Sequence, residues 1–228
     1  AIDFVQFPRQ TLYVKAGDCD DLSATYCTLL ESLGIDTAFI TVPGHIFTAF
    51  RLEMDQTEAE RTFSNTEDLL FRKDGTVWVP VETTLLNQGF LEAWSLAAKQ
   101  WRTHFPEDRA GFFETKQAWK KYQPVAFSVS QIELGMPQRN AVVSRVRPEL
   151  DAFISREIYP REQKLLARIN SGQNDPRTMN SLGVLYARYG QYSEAREWFE
   201  RAADNYAHLP AMINLANIHY IRGDFGRA

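Results

Sequence analysis

Two cysteines in 228 residues, Cys19 and Cys27, are too few for a disulfide framework. If both lie on one helix, their spacing puts them about 12 Å apart along its axis. A disulfide spans Cα atoms only to about 7 Å, so they do not pair within the chain. Two unpaired thiols lean towards a reducing compartment, but a catalytic thiol persists elsewhere too. An excess of basic charge is also missing. Lys and Arg total 25 against 29 Asp and Glu, a net charge of −4, which argues against a nucleic-acid footprint. No apolar run is long enough to span a membrane, and no signal peptide is visible. Metal-ligand spacing, a glycine-rich phosphate loop and a G-x-S-x-G elbow are all absent. What remains is an ordinary globular composition, 44% hydrophobic and 24% charged, in a chain long enough for two modest domains.

Against this background one stretch carries chemistry: Ala16-Gly17-Asp18-Cys19-Asp20-Asp21-Leu22-Ser23. Asp18 suits a helix N-cap, with Asp20 and Asp21 as acidic first-turn residues. Cys19 then opens the helix, where unpaired backbone N–H groups favour a thiolate. Leu22, Tyr26, Leu29 and Leu33 follow at spacings of three and four, a stripe expected to pack on a sheet with Cys19 at its top. Gly34 ends the helix. The three aspartates oppose the thiolate. Either a cationic His45 offsets them or Asp18, Asp20 and Asp21 hold a metal, calcium being the ion that suits carboxylates.

Two further features follow in order. Thr37–Val42 reads as a strand, Pro43-Gly44 as a turn, and His45–Leu52 as its hairpin partner. Asp74-Gly75 marks a second hairpin, ending in Val79-Pro80-Val81-Glu82-Thr83-Thr84. Phe90–Phe105 and Phe112–Tyr122 are aromatic-rich candidates to cover the sheet. Thiol, imidazole and carboxylate at the ends of regular elements are the parts of a cysteine nucleophile system. Cys19, His45 and Glu82 are therefore the candidate catalytic residues, with Asn87 next in line to orient the imidazole. His104, His208 and His219 have no comparable context.

These motifs, Gly17-Asp18-Cys19-Asp20-Asp21, Gly44-His45 and Trp78-Val79-Pro80-Val81-Glu82-Thr83-Thr84, resemble those of bacterial transglutaminase-like domains of the papain-like superfamily. Val5-Gln6-Phe7-Pro8 and Thr11-Leu12 resemble that family's entry segment. The resemblance implies an α+β core, with a nucleophile helix packed on an antiparallel sheet. It further implies Cys19 as nucleophile, His45 as base and acid, and the acid of the third motif as the orienting group. The family usually has aspartate there; this chain has Glu82. It implies thiol-dependent hydrolysis or transamidation of protein or peptide amides without a cofactor. Gln6, Gln10 and Tyr13 are candidate oxyanion donors. The alternative is an inactive domain that serves as a binding scaffold. The resemblance leans towards the bacterial periplasm without separating it from the cytoplasm.

Beyond this domain, residues 1–123, the sequence changes character. Residues 124–147 read as a linker, with Val125–Ser130 extended. Residues 148–228 read as helical, with Pro160 expected to kink or split the first helix. Leu182 recurs as Leu215, Gly190 as Gly223 and Ala195 as Ala228, each at an offset of 33. Leu182-Gly183-x-x-Tyr186, then Gly190-x-Tyr192-x-x-Ala195, with Pro210 closing the unit, resembles the tetratricopeptide repeat, which implies a protein partner. Leu215, Ile218 and Ile221 are expected to lie exposed for want of the next helix. Because the chain opens on Ala1 and stops inside that helix, it is expected to continue at both ends.

Overall fold

The structure, a computed structural model, describes residues 4–125, 133–171 and 175–223. The extended reading of Val125–Ser130 lies outside the described residues but for Val125, and so does the second repeat's continuation from Asp224 to Ala228. The chain divides into two compact units, residues 1–149 and 150–228.

In the first unit, Pro8–Val14 forms α1, Cys19–Ser32 forms α2, and a hairpin of β1 (Thr37–Val42) and β2 (His45–Asp55) follows. After α3 (Gln56–Thr62) come β3 (Leu70–Phe71), β4 (Thr76–Val81) and α4 (Phe90–His104). The unit's last small elements are β5 (Gly111–Glu114) and α5 (Thr115–Lys121). The five strands form one antiparallel sheet in the order β3-β4-β2-β1-β5. Both hairpins turn where expected, with Gly44 and Gly75 at φ +73° and +83°. Phe112 and Phe113, expected as aromatic cover, instead form a strand that pairs with β1 along its open edge. On one side of the sheet Ala97 and Trp101 of α4 pack with Ile40, Phe47, Ala49 and Trp78.

The helix α2 contacts β1 and β2, but through a different face from the one expected. Its buried residues are Asp21, Ser23, Thr25 and Cys27, whereas Leu29 and Leu33 are 45% and 74% exposed. Leu22, Tyr26 and Leu29 instead line an apolar cleft of about 510 Å³ with Leu12, Leu86 and Phe90. The reason is chemical. Buried threonine hydroxyls from β1, the loop after β4 and the start of α5 meet this face of α2, and small polar side chains at i, i+4 spacing satisfy them where leucine would strand them. Ser23 pairs with Thr83, and the Cys27 thiol meets the Thr37 and Thr115 hydroxyls.

Arg139–Asn170 form a helix, α6, that contains both Pro148 and Pro160. It is not split at Pro160: a proline deletes one i→i−4 bond and leaves the rest of the ladder in place. Residues 139–147, part of the expected linker, lie in this helix and contain no glycine or proline to stop it.

In the second unit, α7 (Pro176–Arg188), α8 (Tyr192–Tyr206) and α9 (Leu209–Arg222) enclose a core of Met179, Ala195, Phe199, Ala202, Ala211 and Ile218. The offset of 33 holds at the turns, Gly190 and Gly223, both with positive φ. Asn214 Nδ2 of α9 donates to Asn180 Oδ1 of α7 at 3.0 Å. Ile218 is 3% exposed and Leu215 packs against the same core, so of the residues expected to be bare only Ile221 is.

Candidate functional site

The thiol's position follows from local capping. Asp18 Oδ1 accepts the Asp21 N–H at 3.3 Å and Asp21 Oδ2 accepts the Asp18 N–H at 3.3 Å, a reciprocal box that starts α2 at Cys19. The box leaves no room for a side chain before it: a Cβ on Gly17 would lie 2.6 Å from Asp21 Cβ. Asp21, 3% exposed, also straps down the N-terminal segment, accepting from the Gln6 backbone at 2.6 Å and the Gln6 side chain at 2.7 Å. Cys19 itself is half-buried, and its Sγ lies 3.7 Å from Asp20 Oδ1.

His45 opens β2 beside the end of β4, because the antiparallel register pairs Thr48 with Val81. Its Nε2 donates to Glu82 Oε2 at 2.7 Å. The buried Phe47 ring stacks on the imidazole at 6.1 Å between centroids. Glu82 is 2% exposed, and its second oxygen is held by Thr84, whose N–H donates at 3.1 Å and whose hydroxyl donates at 2.6 Å. Burial pushes this carboxyl up, but the Thr84 hydroxyl, His45 and the Thr84 amide together hold it below the ordinary glutamate range. A carboxylate there accepts the Nε2 proton and leaves Nδ1 as the basic nitrogen of a neutral ring.

The structure therefore joins His45 to Glu82 directly, and the longer glutamate reaches the ring without difficulty. It does not join Cys19 to them: among the described residues the thiol's hydrogen-bond partner is Asp20, not the imidazole. Glu82 lines the apolar cleft beside α2, while neither Cys19 nor His45 does. The aspartates are engaged in capping, strapping and the thiol contact. Among the described residues no group of three or more His, Cys, Asp or Glu is placed to hold a metal ion. Of the oxyanion candidates, the Gln6 amide is committed to Asp21, Gln10 Oε1 accepts the Phe7 N–H at 2.9 Å, and Tyr13 is exposed. Thr84 was missed as an orienting residue, though the Glu82-Thr83-Thr84 run held the signal: a hydroxyl two residues on folds back onto the carboxylate.

Cys27 contrasts with Cys19. It is 1% exposed, and burial pushes its thiol up to about 12, with the Thr37 and Thr115 hydroxyls opposing. Among the described residues no helix is long and apolar enough to cross a membrane. Compared with known proteins, the chain matches no curated protein and no solved structure. A family model of the tetratricopeptide repeat matches residues 177–204, which are α7, its turn and most of α8: this segment is a tetratricopeptide repeat, an architecture that serves protein–protein contact.

Proposed function

We propose that the first unit cleaves or transfers amide bonds through Cys19, His45 and Glu82, and that the repeat segment recruits a protein partner. The observation that carries this reading is the His45–Glu82 contact at 2.7 Å, with the buried carboxylate pinned on its other oxygen by Thr84. Such a pair fixes the imidazole tautomer and supports the charge it acquires. The Cys19 thiol gives its proton to Nδ1 after a side-chain rotation away from Asp20. The thiolate then adds to the substrate carbonyl carbon, and the oxyanion is received by backbone N–H groups at the start of α2. The imidazolium returns its proton to the leaving amine as the C–N bond breaks, leaving a thioester. Water attacking the thioester gives hydrolysis and restores the thiol; an amine gives transamidation.

A second reading is a binding scaffold, favoured by the Sγ–Asp20 contact, which points the thiol at a carboxylate and not at a base. Cys19→Ala separates the two. Alanine is a good first-turn residue, so the fold persists. Loss of release of amine from casein-derived peptides supports the enzyme, and retained release in this variant excludes Cys19 as nucleophile.

A further inference from the structure

We propose that the buried hydroxyl pair Ser23–Thr83 is a positioning strut that sets the Cys19 helix in register with the Glu82 loop. This rests on the Cys19–His45–Glu82 reading and names residues that reading does not assign. Nucleophile and acid lie on separate elements, α2 and the loop after β4, and nothing in the covalent chain between them fixes their separation. Ser23 follows Cys19 by four residues, so it lies on the same face of α2, about 6 Å further along the axis. Thr83 is the residue after Glu82. Their hydroxyl oxygens are 3.1 Å apart, and the residues are 0% and 7% exposed. Among the described residues this is the side-chain hydrogen bond that ties α2 to the loop bearing the acid.

The chemistry of the tie distinguishes positioning from packing. An apolar contact tolerates sliding along the helix, whereas a hydrogen bond weakens steeply with angle and distance. A shift of α2 along its axis would carry Cys19 towards or away from the imidazole. On the other side the Glu82 N–H donates to Ala93 O at 3.0 Å and ties the loop to α4, while Thr84 folds back onto the Glu82 carboxylate within the loop. Ser23 then has a fixed anchor to register against. Replacing both hydroxyls by apolar groups of similar shape is often close to neutral for stability, so the two roles separate experimentally.

The test is iodoacetamide labelling of Cys19 against pH in the full chain, read by peptide mass, with melting temperatures measured in parallel. The variants are Thr83→Val, Thr83→Ser and the double change Ser23→Ala with Thr83→Val. The strut predicts that the double variant melts close to the wild type yet labels at pH 6 at least about tenfold more slowly, as expected for a thiolate population cut by that factor. Thr83→Val slows labelling likewise, and Thr83→Ser, which keeps the hydroxyl, restores it. If the wild type labels readily at pH 6 and the folded double variant labels equally fast, the strut is overturned and the catalytic reading stands. If wild-type Cys19 shows no reactivity at pH 6, the catalytic reading fails and the strut falls with it.

Discussion

Glu82 is a residue in which two opposed forces meet. Burial disfavours its charge, and three hydrogen-bonding contacts from Thr84 and His45 more than offset that. Because its proton affinity is lowered on folding, the carboxylate stabilises the native state above the ordinary glutamate value of about 4.3. That contribution fades as pH falls below this value through the lowered one. Glu82→Gln removes it, so the variant's melting temperature is expected to fall less between pH 5 and pH 3 than the wild type's. The same change presents the wrong hydrogen-bonding end to Nε2. We expect turnover to drop by about 10- to 10³-fold, less than the roughly 10⁴ seen for a comparable serine-triad change, and steady-state kinetics checks it. Cys27 is the opposite case. Its thiol is raised from 9.0 to about 12, so its contribution to stability is present below the ordinary thiol range and is lost as pH climbs towards about 12. Cys27→Ala is expected to cost about 0.5–3 kcal/mol in denaturant unfolding and to leave amide chemistry intact.

Elements differ in how openly the sequence declares them. The start of α2 is legible because its capping is local: Asp18 and Asp21 are three residues apart and need no tertiary partner. The hairpins at Pro43-Gly44 and Asp74-Gly75 are legible for the same reason. The buried face of α2 is not, because Leu22, Tyr26, Leu29 and Leu33 mimic a core stripe and only the threonines brought up from residues 37, 83 and 115 decide which face goes in. β5 is invisible until β1 offers it an edge. His45 and Glu82 can be picked out by their places at strand ends. The Thr84 clamp and the Ser23–Thr83 pair depend on folded geometry. In the repeat, Gly183 has a simple cause: a Cβ there would run into the ring of Phe199 on α8. That ring is 1% exposed and has no space to retreat. Gly183→Ala is therefore expected to lower the stability of the helical segment by about 1–3 kcal/mol, seen as a drop in its melting transition by far-ultraviolet circular dichroism.

The whole molecule combines two units with separate cores, one built on the sheet around Phe47 and Trp78, the other between α7, α8 and α9. Damage to one core is expected to spare the other, so Gly183→Ala leaves the labelling rate of Cys19 at its wild-type value while it lowers the helical transition. On the functional reading, chemistry belongs to the first unit and recruitment of a partner to the repeat at residues 177–204. The central claim is that the His45–Glu82 pair acts on Cys19. The most direct measurement is the pH dependence of Cys19 alkylation in the wild type and in His45→Ala, with Cys27 in the same molecule as an internal reference. The account predicts that wild-type Cys19 reacts well below pH 8, that His45→Ala abolishes this low-pH reactivity, and that Cys27 stays silent throughout. A Cys19 profile like that of an ordinary free thiol, unchanged by His45→Ala, would contradict it.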